Sequence, residues 1–136
     1  MERQEAYIVP STPLVAPRSW HWALDGHPPG PNQLRGHWAV RSRLTKPWKD
    51  HMALLCRTER PRWPLARARV TVTLCYPRRP WMDPDNCIAS LKGTIDGLVT
   101  GGLLAGDSDK HLLLDVRQVL GHRKQVLIDV VEVTGG

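Results

Sequence analysis

The segment 68–76, ARVTVTLCY, alternates strictly, with Val70, Val72, Leu74 and Tyr76 on one side and Arg69, Thr71, Thr73 and Cys75 on the other. A period of two rich in β-branched residues predicts a strand with one buried face. Further on the period changes. Ile88, Leu91, Ile95, Leu98 and Val99 recur at helical spacing, which predicts an amphipathic helix, and the TGG run at 100–102 supplies its stop. Another helix is predicted over 45–60, with Thr45 as N-cap and Trp48, Met52, Leu55 and Cys56 on its apolar stripe. SWHWALDG (19–26) reads as a first strand and WAVRSR (38–43) as a further short one, separated by a Pro/Gly-rich loop. HLLLDVRQV (111–119) and QVLIDVVEV (125–133) read as strands, and the short LGHRK link predicts that they form a hairpin.

The resulting order is β-(β)-α-β-α-β-β. It predicts one small α/β (α+β) domain, with a mixed sheet and two main helices, over residues 19–136. Residues 1–18 carry Pro10, Pro13 and Pro17 and are expected to be loosely structured. A length of 136 residues allows one modest core, and 41% hydrophobic residues suit a folded chain rather than a disordered one. No apolar run is long enough to span a membrane, and acidic residues and prolines stand where a secretory signal needs an apolar core. Cys56, Cys75 and Cys87 are far apart, odd in number and without metal spacing, so a cytoplasmic setting is expected. Six tryptophans and no phenylalanine place most of the aromatic packing on tryptophan.

Charge changes the picture. Residues 1–80 hold 14 Lys/Arg against 5 Asp/Glu, whereas residues 81–136 hold 5 against 8. A basic section beside an acidic one fits a polyanion-binding surface next to a cation-binding site, or ordinary solvated charge. The acidic section begins with Asp83-Pro84-Asp85-Asn86 at a helix start. Asp followed by Pro is a sound helix opening, yet one carboxylate suffices to cap, and the second adds repulsion. On one continuous helix Asp85, Lys92 and Asp96 would fall within about 40° of one another, on the rim of the apolar stripe. The stretch AGDSDKH (105–111) adds Asp107 and Asp109 in what is otherwise an ordinary turn. If the sheet brings both segments together, Asp83, Asp85 and Asp107 or Asp109 form a set of hard oxygen ligands for Mg²⁺, with Mn²⁺ as a substitute. Such an ion performs phosphodiester hydrolysis, and surrounding cations hold a nucleic-acid backbone. A hydrolase of small phosphoesters fits less well, because the chain has no glycine-rich phosphate cradle.

DPDN followed by SLKGTIDGL and GLLAGDSD resembles the RusA family of Holliday junction resolvases, found in phages and prophages. PPGPNQLRGHW (28–38), with Asn32 as a loop-fixing residue, and LTKPWKDH (44–51) are similar to earlier segments of that family; the resemblance covers roughly residues 19–133. It implies a homodimeric, Mg²⁺-dependent crossover junction endodeoxyribonuclease that nicks four-way DNA junctions symmetrically in recombination and repair. Carried over by motif, Asp83, Asp85 and Asp107 are the metal-holding carboxylates and Lys92 the helix lysine. Two positions depart from the family's pattern: Gly106 stands where many members have an acid, and Lys92 lies six residues after Asn86. Asp96 and Asn86 are expected to support the site, with Asp109 as a reserve ligand. Arg35, Arg41, Arg43, Lys46, Lys49, Arg69, Arg78 and Arg79 are expected phosphate contacts, and Trp81 is placed to stack on a base. The competing expectation is a DNA-binding protein on the same fold without catalysis.

Overall fold

The computed structural model describes residues 17–30, 34, 37–79 and 82–134. Strand β1 (Ser19–Asp25) is followed by α1 (Trp38–Glu59) and β2 (Ala68–Tyr76). Two short helices, α2 (Pro84–Ser90) and α3 (Lys92–Thr100), then lead to β3 (Leu112–Leu120) and β4 (Gln125–Glu132). The mixed α+β architecture and the order of its main elements agree with the sequence reading. Among the described residues no helix is long and apolar enough to cross a membrane.

β2 has the predicted bounds, and its alternation is realised: Val70, Val72, Leu74 and Tyr76 are buried. The sheet order is β1-β4-β2-β3, with β2 and β3 parallel and β4 antiparallel to both β1 and β2. The predicted β3–β4 hairpin is therefore absent. The helical crossover from β2 returns β3 as β2's parallel neighbour. The link after β3 then passes the end of β2, where the Gly121 N–H donates to the Tyr76 carbonyl at 2.7 Å, and β4 enters on β2's other side. Burial favours this arrangement: Val126, Ile128 and Val130 are fully covered in the central strand, whereas Leu114, Val119 and Leu120 on the edge strand are exposed.

The segment 38–43 forms the first turns of α1 rather than a strand. His37 caps the helix, its Nδ1 accepting from the Ala39 N–H at 3.1 Å, so the start lies eight residues before Thr45. Thr45 is interior, and its hydroxyl donates back to the Arg41 carbonyl, as threonine does within helices. These first turns are mostly solvent-exposed, so neither a helical nor an alternating apolar stripe marks them. Trp20, Trp22 and Trp48 pack against the core, but Trp38 and Trp63 are 65% and 72% exposed, and Trp81 lies outside the described residues.

The second predicted helix is broken at Leu91, which sits at φ −91°, ψ −1° and donates to Ile88 three residues back. The break turns the apolar face. Cys87, Leu91, Ile95 and Leu98 are buried as one row, while Ile88, expected inside, is 51% exposed. α3 lies very close to α1. A Cβ on Gly97 would stand 2.6 Å from the Lys49 carbonyl oxygen, and one on Gly101 would stand 2.6 Å from the Cys56 Cβ. Glycine at these positions lets two backbones meet, which fixes α3 and its Lys92 and Asp96 against α1.

Candidate active site

Asp83 stands at the N-cap of α2 with Pro84 behind it, as the sequence suggests, but its side chain makes no capping hydrogen bond. Helix entry is secured by the backbone instead, the Cys87 N–H donating to the Asp83 carbonyl at 2.9 Å. Asp85 lies in the first turn of α2 and is exposed. Asn86 beside it is half-buried.

Lys92, Asp96 and Asp107 come together on one hollow of about 260 Å³, floored by Ile88, Ile95, Leu112 and Leu114. The sequence placed Asp85, Lys92 and Asp96 on one rim; of these, Lys92 and Asp96 line the hollow, and the post-helix turn brings Asp107 to them. Asp83 and Asp85 do not line this hollow; Asp85 lies one turn before Ile88 and Ala89, which do. Asp109 is exposed in the same turn as Asp107 and lies outside the lining. Among the described residues, no three Asp, Glu, His or Cys side chains form a group able to enclose a metal ion. The three carboxylates expected to hold an ion, Asp83, Asp85 and Asp107, are therefore not gathered into one donor set: Asp107 lines the hollow and the other two do not.

Two further hollows adjoin the first. One, of about 380 Å³, shares Asp96 and is lined by Ser42, Thr45, Lys46 and Lys49 of α1 together with Asp50. Lys46 is ion-paired with Asp50 one turn on. The other, of about 320 Å³, shares Ile88 and Leu114 and runs from Pro84 and Cys87 to Asp115 and Gln118 of β3. Of the expected phosphate contacts, Lys46 and Lys49 are therefore the ones beside the acidic hollow. Arg41 and Arg43 are exposed on the first turns of α1, Arg69 on β2, and Arg78 and Arg79 just after β2. Arg35, Asn32 and Trp81 lie outside the described residues.

The sequence reading missed the anchor of the carboxylate turn. Gln118 of β3 accepts from the Met82 N–H at 3.0 Å and donates to the Met82 carbonyl at 2.7 Å. Its oxygen also accepts from the Tyr76 hydroxyl at 2.7 Å. Burial pushes the Tyr76 phenol up to about 12, so it keeps its proton and remains a donor at neutral pH. Burial also raises the Cys87 thiol, partly opposed by the Tyr76 hydrogen bond, and the nearby Asp83 charge adds to the rise. Cys87 is consequently a neutral packing residue rather than a thiolate nucleophile or ligand. One signal in the sequence pointed to Gln118: a polar residue that continues the alternation of Leu112, Leu114 and Val116 on one face of a strand.

Compared with protein-family models and with curated proteins, the chain matches none.

Proposed function

We propose that this protein is a Mg²⁺-dependent endodeoxyribonuclease selective for branched DNA, nicking four-way junctions in the manner of the RusA-like resolvases its motifs resemble. The observation that carries the reading is the shared hollow of Lys92, Asp96 and Asp107, adjoined by the lysines of α1. Asp83, Asp85 and Asp107 would hold the ion, which supplies an activated water and charge neutralisation at the phosphate. Lys92 lies beside Asp107 and stabilises the negative charge that builds on the scissile phosphate. Asp96, one helical turn after Lys92 and on the same hollow, offers the ammonium a neighbouring opposite charge. Lys46 and Lys49 take flanking phosphates, a role that needs charge rather than sequence readout. Paired nicks require two symmetric sites, which a twofold homodimer provides.

The test is Asp107→Asn, assayed on one labelled four-way junction by nicking and by gel shift. Asparagine keeps the size of the side chain but removes the charge. The expected result is a loss of cutting of about 100-fold with junction binding held or tightened, since an acid facing phosphates is gone. Cutting at the parent rate would remove Asp107 from the mechanism and shift the third ligand to Asp109. A parent protein that binds the junction in Mg²⁺ and never nicks it would favour the non-catalytic DNA-binding reading. Light scattering on the free protein tests the dimer.

A further inference from the structure

β3 lies at the edge of the sheet and, among the described residues, pairs with β2 alone. Its two ends show which way its backbone groups point. The His111 carbonyl accepts from the Ala68 N–H at 2.9 Å, and the Gly121 N–H donates to the Tyr76 carbonyl at 2.7 Å. Bonding residues alternate in a parallel ladder, so Leu113, Asp115, Arg117 and Val119 turn their N–H and C=O groups to β2. Leu114, Val116, Gln118 and Leu120 turn theirs outward. The edge is nine residues long, and Leu114, Val119 and Leu120 along it are exposed, as is Ile88 of α2. A long apolar edge of this kind is a template for another strand.

The order of the side chains selects which strand. In chemical character LLLDVRQVL reads nearly alike in both directions from Val116. Laid antiparallel on a second β3 about a twofold axis at Val116, Leu112 faces the partner's Leu120 and Leu113 the partner's Val119. Leu114 faces the partner's Gln118, and Asp115 the partner's Arg117. Apolar side chains meet at both ends, and opposite charges meet on each side of the axis. Val116 is an outward-turned residue, so the same register sets N–H groups against carbonyls. Asp115 and Arg117 then oppose each other at a non-hydrogen-bonded pair, where cross-strand side chains are closest. Within one strand Arg117 Nη2 already lies 3.1 Å from the Asp115 carboxylate, and the second strand would set each guanidinium between two carboxylates. Charges of one sign would blunt the edge against a second copy; this pair, in this order, attracts one.

We propose that β3 pairs antiparallel with β3 of a second copy, centred on Val116, and so joins two four-stranded sheets across a twofold axis. The axis stands perpendicular to the sheet, and the helices of both copies lie on one face. Leu112 and Leu114 border the hollow of Lys92 and Asp107, so two such hollows come to lie on that face, one on each side of the axis. The inference deepens the twofold dimer of the reading above and rests on that reading only for what the two sites do; the pairing itself follows from β3.

The experiment uses the full chain and the variants Asp115→Arg, Arg117→Asp, Val116→Cys and Leu114→Cys. Sedimentation velocity over a concentration series gives the dimer dissociation constant, and circular dichroism checks folding. Each charge variant sets like charges opposite each other at both sides of the axis, so its dimer should be weaker by about 10-fold or more. Mixing the two charge variants in equal amounts should restore most of the lost affinity, because the mixed pair brings opposite charges together again. A role within one strand gives no such rescue, since neither chain regains its own ion pair. In Val116→Cys the new thiols face each other across the axis at a separation that a disulfide spans, and mild oxidation should yield a covalent dimer. In Leu114→Cys they stand about 14 Å apart, and none should form. A parent dimer whose affinity ignores both charges, weakened variants that mixing does not rescue, or a strictly monomeric parent would each overturn the pairing. Should a charge variant fail to fold, the Val116→Cys cross-link decides: its formation supports the pairing and its absence overturns it. A dimer with the expected charge dependence that never nicks a four-way junction would sink the endonuclease reading and leave the interface standing. Nicking by a parent whose dimer ignores both charges would keep that reading and overturn the interface.

Discussion

Replacing Gly97 with alanine should destabilise the fold despite alanine's better helix propensity. The added Cβ would lie 2.6 Å from the Lys49 carbonyl oxygen, 2.7 Å from the Met52 Cβ and 3.2 Å from the Ala53 nitrogen. Two of these atoms are backbone and the third is a Cβ, so no flexible side-chain end can move aside. α1 and α3 must separate, and overpacking of this kind costs about 3 kcal/mol, the upper part of its usual range. Alanine returns about 1 kcal/mol as a better helix former than glycine. The net loss is about 2 kcal/mol, which for a chain of this size lowers the melting temperature by roughly 8 °C. Gly93→Ala is the matched control on the same helix face. Its Cβ would come no closer than 3.1 Å, to the Thr45 carbonyl oxygen, so clash and propensity should nearly cancel, leaving it within about 1 kcal/mol of the parent. Thermal unfolding followed by circular dichroism measures both. A Gly97→Ala protein that melts at or above the parent temperature, or a Gly93→Ala protein that loses more than Gly97→Ala, would refute the close-approach argument.

Other expectations follow from single groups. Thr94 is fully buried and its hydroxyl finds no hydrogen-bond partner among the described residues, so the nearly isosteric Thr94→Val should raise stability by about 1 kcal/mol; chemical denaturation showing a loss instead would mean that the hydroxyl is satisfied in solution. His27 is partly buried, and desolvation holds its pKa below the ordinary 6.5, although its Nε2 donates to the Cys75 carbonyl at 2.7 Å. The unfolded chain therefore takes up the proton at higher pH than the folded one. Stability from this group is full above about pH 6.5 and falls as pH drops through that value toward the folded pKa. The difference in melting temperature between the parent and His27→Gln, followed across that range, should narrow on acidification; a constant difference would remove His27 as the cause.

The sequence determined which stretches form elements and which faces of them are buried wherever the signal is local. The alternation in 68–76 gave β2 with its bounds and its inward residues, because a period of two is set by the strand itself. Leu91, Ile95 and Leu98 likewise announced a buried helix face, and the glycines at 101 and 102 its end. Lys92 and Asp96 are four residues apart on one helix, so their shared rim was also legible. Tertiary structure decided the rest. Periodicity carries no record of a strand's partner, so nothing in LGHRK said that β4 would pass β2 and pair on its far side. The break at Leu91 exposed Ile88 and buried Cys87, since the helix turns to keep Leu91 and Ile95 against the sheet while α3 meets α1. The first turns of α1 are exposed and bury too little apolar surface to mark a period. Above all, Asp107 comes to the same hollow as Lys92, and Gln118 bonds to Met82, across gaps of 15 and 36 residues. Such meetings are fixed by how the chain closes on itself, and no local pattern of residues can encode them alone.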